Sequence, residues 1–329
     1  MLDSPPDNIS GNSDNLSSKA VVRPKAMASY EDVRIFIKDV AKKHKIPEKR
    51  LLKLFQNVFF DASVIELIER PAEKVSWTSY EKSLLSKERI DNGKKYLKTY
   101  DKYLKAAEAR YGVPAELLAA IVGVESYYGT VKFRRNAITS LGTLAFEYPR
   151  RSQFFKRELE NLLVYATVNS LDPLTIMGSY AGAVGIPQFM PGNITLYGVD
   201  GDNDNKIDIV TSHPDAIFSI ANYIKAHGWN TGGETVDFVE LGEGLTEEDF
   251  SLNPCGNSHK TVEELKKKGV KFASDYDNAA MGLLSRLDDE NETYKYVVFF
   301  KNSCPIHKYN SSLKYTAAIA RLAKILKGG

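Results

Sequence analysis

The sequence is poor in the residues that build metal centres, with two cysteines and five histidines in 329 residues. The histidines are scattered, so no zinc pattern of the usual Cys/His spacing exists. His227, on a helix but without a carboxylate or serine partner in a motif, reads as a packing residue. Charge of one sign is also missing. The formal net charge is +2, from 44 basic and 42 acidic residues, so the whole chain has no nucleic-acid footprint and no nucleic-acid partner is expected. No apolar run is long enough to cross a bilayer as a helix. Met1 leads straight into polar residues, without the apolar core of a secretory signal. Taken alone, these absences read as cytoplasmic. Cys255 and Cys304 could pair in an oxidising compartment, closing a loop worth up to about 4 kcal/mol in the chain-entropy model. They could equally be two unrelated thiols, and two cysteines in a long chain do not decide it.

What is present is mostly helical periodicity, in a chain long enough for two or three subdomains. Residues 1–27 are rich in Ser, Asn, Asp and Pro and read as a disordered tether. Tyr30, Val33, Phe36, Ile37, Val40 and Ala41 then fall on one helical face. Pro47 restarts the chain, and Leu51, Leu52, Leu54, Phe55 and Val58 give a second amphipathic helix. Residues 61–73 read as a short helix and a loop, 77–112 and 134–170 as mostly helix. Residues 234–305 change character. ETVDFVEL, MGLLSRLD and YKYVVFFK are strand-like, with KTVEELKKKGV as a short helix between them. YNSSLKY stands at a strand-to-helix junction, and TAAIARLAKIL closes the sequence as an amphipathic helix.

The stretch that organises the rest is YGVPAELLAAIVGVESYYG, 111–129. Pro114 suits the start of a helix. The run that follows is apolar on all sides, which marks a buried helix. It ends in one carboxylate, Glu125, followed by Ser126, Tyr127 and Tyr128. Desolvation there disfavours the charged form, and a carboxyl kept protonated near neutral pH can serve as a general acid. The plain alternative is a Glu emerging into solvent at a helix end.

This stretch resembles the catalytic-helix signature of the B-type lytic murein transglycosylases, lysozyme-like enzymes acting on peptidoglycan. Four further blocks match in the same order: LAFEYPRRSQFF (144–155), GSYAGAVGIPQFMP (178–191), DAIFSIANYIKAHGW (215–229) and YNSSLKY (309–315). The resemblance spans about 74–327. It implies a mainly α (α+β) fold with a lysozyme-like catalytic core. The expected division is a tether at 1–27, a helical N-terminal part at 28–110, the core at 111–233, a small α/β subdomain at 234–305, and a C-terminal helix at 306–329 returning to the core.

By the same resemblance, Glu125 is the catalytic acid. Ser179 orients it or the substrate acetamido group, and Gln188 hydrogen-bonds the sugar. These two polar residues stand in an otherwise apolar block, whose glycines alone would fit a tight helix–helix contact. Tyr80, Tyr309, Asn310 and Tyr315 line the glycan groove, Tyr223 stacks beside the catalytic carboxyl, and Arg150 and Arg151, whose planar forks suit carboxylates and sugar oxygens, border the groove. The bland readings are core packing for the tyrosines and a solvated face for the arginine pair. Ile186 and Pro187 depart from the family, where an aromatic and a Gly are frequent, and this bears on fine substrate contacts.

DGDNDNKID, 200–208, has EF-hand spacing. Asp200, Asp202, Asp204 and Asp208 occupy positions 1, 3, 5 and 9, and Lys206 offers its carbonyl at position 7. Position 6 is Asn205, which tolerates the left-handed conformation needed there. Position 12 is Thr211 rather than Glu. The family carries a lengthened loop, 200–215, closed here by Asp215. A structural Ca2+ is expected, with no cofactor for catalysis; the plain alternative is an acidic surface turn.

No second carboxylate in these blocks stands out, although common glycosidases use two. The family resolves this with one acid/base and internal nucleophiles, cleaving the MurNAc–GlcNAc bond and leaving 1,6-anhydromuramic ends. Two other readings remain at this point. One is a muramidase that uses water, and the other is a non-catalytic envelope scaffold that binds peptidoglycan. The expected partner is the peptidoglycan glycan strand, met by a monomer. The implied place is the periplasm or cell envelope, with an outer-membrane lipid anchor on the native precursor as an open alternative and the export signal already removed.

Overall fold

The computed structural model describes residues 23–70 and 75–328. The chain is mainly helical, with small antiparallel sheets. It forms two compact units, one from residues up to 70 with 129–219, the other from 75–128 with 220–328. This interleaving differs from the linear division expected above. Among the described residues no helix is long and apolar enough to cross a membrane.

The first unit is built around helix Ala137–Glu147, buried along most of its length and packed on helix Ser152–Val168. Asn136 starts the former, its Oδ1 accepting the N–H groups of Ile138 and Thr139, which satisfies two of the orphan donors of a helix start. Helices Glu31–His44, Glu48–Phe55 and Ala62–Glu69 complete this part. Of the expected tether, 1–22 lie outside the described residues. Residues 23–27 are packed rather than loose. Met27 is fully buried and donates its N–H to Val58 at 2.8 Å. Arg23 pairs with Asp32 at 3.0 Å and Glu147 at 2.8 Å. One buried methionine outweighs the polar composition before it.

The second unit holds helices Trp77–Leu84, Lys87–Thr99, Asp101–Tyr111 and Ala115–Ser126, and a four-stranded sheet. Strand Met281–Asp288 pairs antiparallel with Tyr294–Phe300, which pairs with Val236–Phe238; Lys260–Thr261 forms the other edge. Alternate residues face opposite sides. Leu283, Leu287, Val297 and Phe299 pack with Trp77, Tyr80, Leu84, Ala317 and Ala318. Leu284, Val298 and Phe300 pack with Val262 and Leu265 of the helix Val262–Lys267. Both faces are covered, which is why these strands read as near-continuous apolar runs. The sheet therefore shares a core with Trp77 and Ala317 rather than standing apart. Cys255 and Cys304 form a disulfide, with Cα atoms 4.8 Å apart. The expected strand-to-helix junction is a helix-to-helix one: Ser303–Tyr309 precedes Leu313–Lys327.

Candidate active site

Helix Ala115–Ser126 is buried from Leu117 to Gly123 and packs on helices Lys87–Thr99, Asp101–Tyr111 and Leu313–Lys327. Glu125 lies in its last turn, half-buried. A helix C-terminus carries partial negative charge, which disfavours a carboxylate there. The hydroxyl of Tyr315 donates to Glu125 Oε1 at 2.6 Å. Tyr309 stacks parallel to Tyr315, centroids 6.5 Å apart, and meets Tyr223 edge-on at 5.0 Å. Tyr223 donates to the carbonyl of Lys308 at 2.6 Å and stacks on His227 at 4.0 Å. His227 Nδ1 lies 2.7 Å from the Tyr223 carbonyl, as suits a packing residue. Tyr80 is buried with no hydrogen-bond partner for its hydroxyl.

Burial, and then the nearby Glu125 charge, push the phenols of Tyr80, Tyr309 and Tyr315 well above their ordinary value. All three remain neutral donors across the physiological range. Four of the expected groove tyrosines thus come together with Glu125 in one cluster. Asn310 lies beside it in sequence, half-buried, its carbonyl accepting from Ser312 N–H at 2.7 Å.

The end of the catalytic-type helix is unusual. Tyr127 and Tyr128 both adopt left-handed conformations, φ 51° and 61°, which costs a non-glycine residue roughly 1–2 kcal/mol. The Tyr128 ring offsets this by packing into a slot. Its hydroxyl donates to the Arg89 carbonyl at 2.9 Å. A Cβ added at Gly123 or Gly93 would stand 2.5 Å from Tyr128 atoms, so both glycines are needed by the ring. Sequence reasoning gave Tyr127 and Tyr128 no role, since backbone sign leaves no periodic trace.

The other expected sugar contacts belong to the first unit. The 178–191 block is a tightly folded loop rather than a helix–helix contact, with Val184 bridging both Gly178 and Phe189. Ser179 is buried and its Oγ accepts from Ala183 N–H at 3.1 Å. Gln188 is left-handed, φ 48°, and its Nε2 donates to Gly185 at 2.8 Å. A Cβ on Gly185 would collide with the carbonyl of Ile209. Arg150 is exposed, and Arg151 lies over the Phe154 ring at 4.3 Å.

In the 200–215 loop, carboxylate oxygens of Asp200, Asp202 and Asp204 lie within 4.8 Å of one another. Asn205 is left-handed, φ 68°, as its position 6 requires. Asp200 accepts the N–H groups of Asp204 and Asn205. Asp208 accepts those of Val210 and Thr211, and Lys206 is exposed. Asp215 is buried, and its two oxygens accept from Gly201 N–H at 2.8 Å and Asp208 N–H at 2.6 Å. It ties the two limbs of the loop together.

A family model described as the transglycosylase SLT domain matches residues 28–324. The chain is 32% identical over 310 residues to the membrane-bound lytic murein transglycosylase B of Escherichia coli K12, covering 90% of this chain and 83% of that protein. The E. coli lytic transglycosylase Slt35, solved in complex with calcium, superposes with a TM-score of 0.82 at 30% identity, covering 94% of this chain and 97% of that one. SltB3 from Pseudomonas aeruginosa, solved with NAG-NAM-pentapeptide, gives 0.81 at 31% identity, covering 91% and 80%. With most of its length matched by the family model, and with relatives of like fold at this level of identity, the chain belongs to the SLT transglycosylase family and is a lytic transglycosylase.

Proposed function

We propose that the protein cleaves the MurNAc–GlcNAc β-1,4 bond of peptidoglycan and closes a 1,6-anhydro ring on the muramoyl residue, with Glu125 as the single acid/base. The observation that carries this is the 2.6 Å hydrogen bond from Tyr315 to Glu125 in the last turn of a buried helix. The helix end and partial burial favour the protonated carboxyl, and the phenol donor stabilises the carboxylate once the proton has gone. Glu125 gives its proton to the glycosidic oxygen as the C1–O bond breaks. The substrate acetamido oxygen bonds to C1 and holds the developing positive charge. The muramoyl C6 hydroxyl then attacks C1, displaces the acetamido oxygen and returns its proton to Glu125. Atoms balance without water. A held hydroxyl is a strong competitor to solvent because its effective molarity is very large.

In this reading Tyr80, Tyr223, Tyr309, Tyr315 and Asn310 are substrate-binding residues, and so, each within its own unit, are Ser179, Gln188, Arg150 and Arg151. The 200–215 loop carries a structural Ca2+. Three aspartate carboxylates are hard oxygen donors suited to it, and the solved calcium complex of Slt35 supports the assignment. Asp200, Asp202, Asp204, Asp208 and the Lys206 carbonyl would hold the ion, and Asp215 shapes the loop around them. The place of action is the periplasm or cell envelope, in keeping with the membrane-bound relative.

The test is mass spectrometry of peptidoglycan sacculi digested by the wild type and by Glu125→Gln. Anhydro-muropeptides from the wild type alone support the reading. Reducing-end products turn it into a hydrolase. Binding without release from either protein turns it into a scaffold.

A further inference from the structure

The first turn of helix Lys87–Thr99 places a cation against the end of the Glu125 helix. Ser86 caps the helix and its Oγ accepts the Arg89 N–H at 3.3 Å, which fixes where the Arg89 side chain leaves the backbone. Arg89 Nη1 donates to the carbonyl of Gly123 at 2.7 Å. Gly123 is two residues before Glu125, in the turn whose carbonyls have no partner further along the helix. The guanidinium also lies over the Tyr127 ring, 4.8 Å from its centroid. The backbone carbonyl of Arg89 takes the Tyr128 hydroxyl. One residue therefore grips the turn before Glu125 and the two left-handed tyrosines after it.

A neutral side chain of similar length would fill this space more cheaply. Arg89 Nε is shut off from solvent without a hydrogen-bond partner, and desolving a cation costs several kcal/mol unless it is well compensated. What the positive charge adds is an offset to the negative end of the helix. Glu125 needs that offset only in the interval when it is a carboxylate. Among the groups that feel the Glu125 charge are Tyr80 from helix Trp77–Leu84 and Tyr309 and Tyr315 from the C-terminal segment. Around Arg89 they include Tyr128, Tyr127, Glu88 and Tyr80. Tyr80 faces both, and it is a neutral phenol.

We infer that Arg89 is a positioning residue for the reaction: it locks the terminal turn that aims Glu125 and makes the intermediate carboxylate tolerable at a helix end. The inference rests on Glu125 being the acid/base.

The experiment measures kcat, KM and the pH profile of kcat on soluble, uncrosslinked glycan strands for the wild type, Arg89→Met and Arg89→Lys, with Glu125→Gln beside them. Arg89→Met is expected to lower kcat about 10- to 100-fold through misplacement of the acid, with KM nearly unchanged. Losing the cation disfavours the carboxylate, so the alkaline limb of the kcat profile moves to higher pH. Arg89→Lys keeps the charge and brings that limb back toward the wild type. Wild-type kcat and limb in Arg89→Met overturn the inference. So does equal loss in Met and Lys variants with an unmoved limb, which is what a simple packing strut gives. If Glu125→Gln itself stays active, the acid/base assignment has failed instead, and the arginine results are read apart from it.

Discussion

Tyr315 and Glu125 are joined by a 2.6 Å hydrogen bond across 190 residues of sequence. The donor is a fully buried phenol, and burial followed by the Glu125 charge raises its pKa well above the ordinary range. The bond favours the carboxylate form of Glu125. Tyr315→Phe removes the donor and keeps the ring, so the alkaline limb of the kcat profile should move to higher pH and kcat should fall about tenfold, the equivalent of about 1.4 kcal/mol. An unchanged profile would show that the bond is not made in the enzyme–substrate complex.

The slot for Tyr128 gives a second expectation. Gly123→Ala places a methyl 2.5 Å from the Tyr128 ring. Overpacking of this kind costs about 1–3 kcal/mol. Here it also displaces the turn that follows Glu125, so kcat should drop more than stability alone explains. Urea unfolding and kcat measured on the same sample separate the two effects. Loss of stability with full kcat would mean that the tyrosine turn does not aim the acid.

For the disulfide, the closed loop spans 49 residues, which the chain-entropy model values at about 4 kcal/mol. Cys255→Ser should shift the urea midpoint down by a corresponding amount. Glycan cleavage at low temperature should persist, because neither cysteine is in the tyrosine cluster. A midpoint equal to the wild type under oxidising conditions would contradict this.

Calcium is expected to raise the thermal midpoint without raising kcat. An ion that binds only the folded chain adds about 2.7 kcal/mol at a concentration one hundred times its Kd. Asp204→Asn should blunt that response. A thermal midpoint indifferent to millimolar calcium would leave the loop as an acidic turn.

Much of this was legible in the sequence, for physical reasons. A run apolar on all sides ending in one carboxylate announces a buried helix, and helix Ala115–Ser126 is one. The aspartate spacing and the left-handed Asn205 are local and can be read locally. Arg89 was invisible because it sits in a polar stretch, SKERIDNGKK, where one arginine looks like its neighbours. Its role depends on a carbonyl 34 residues away. The pairing of Cys255 with Cys304 and the burial of Met27 likewise depend on three-dimensional closure. The left-handed tyrosines run against propensity, and such strain tends to be held at working sites.

The distance in sequence between Glu125 and its tyrosine also sets an order of events during synthesis. Glu125 and its helix are made long before residues 313–327, which cover that helix and bring Tyr315 to it. Contacts so remote close late and slowly. A chain interrupted anywhere in that interval carries Glu125 without its phenol donor and a helix with one apolar side uncovered. The bond between Tyr315 and Glu125 can therefore close only after every residue between them has been translated.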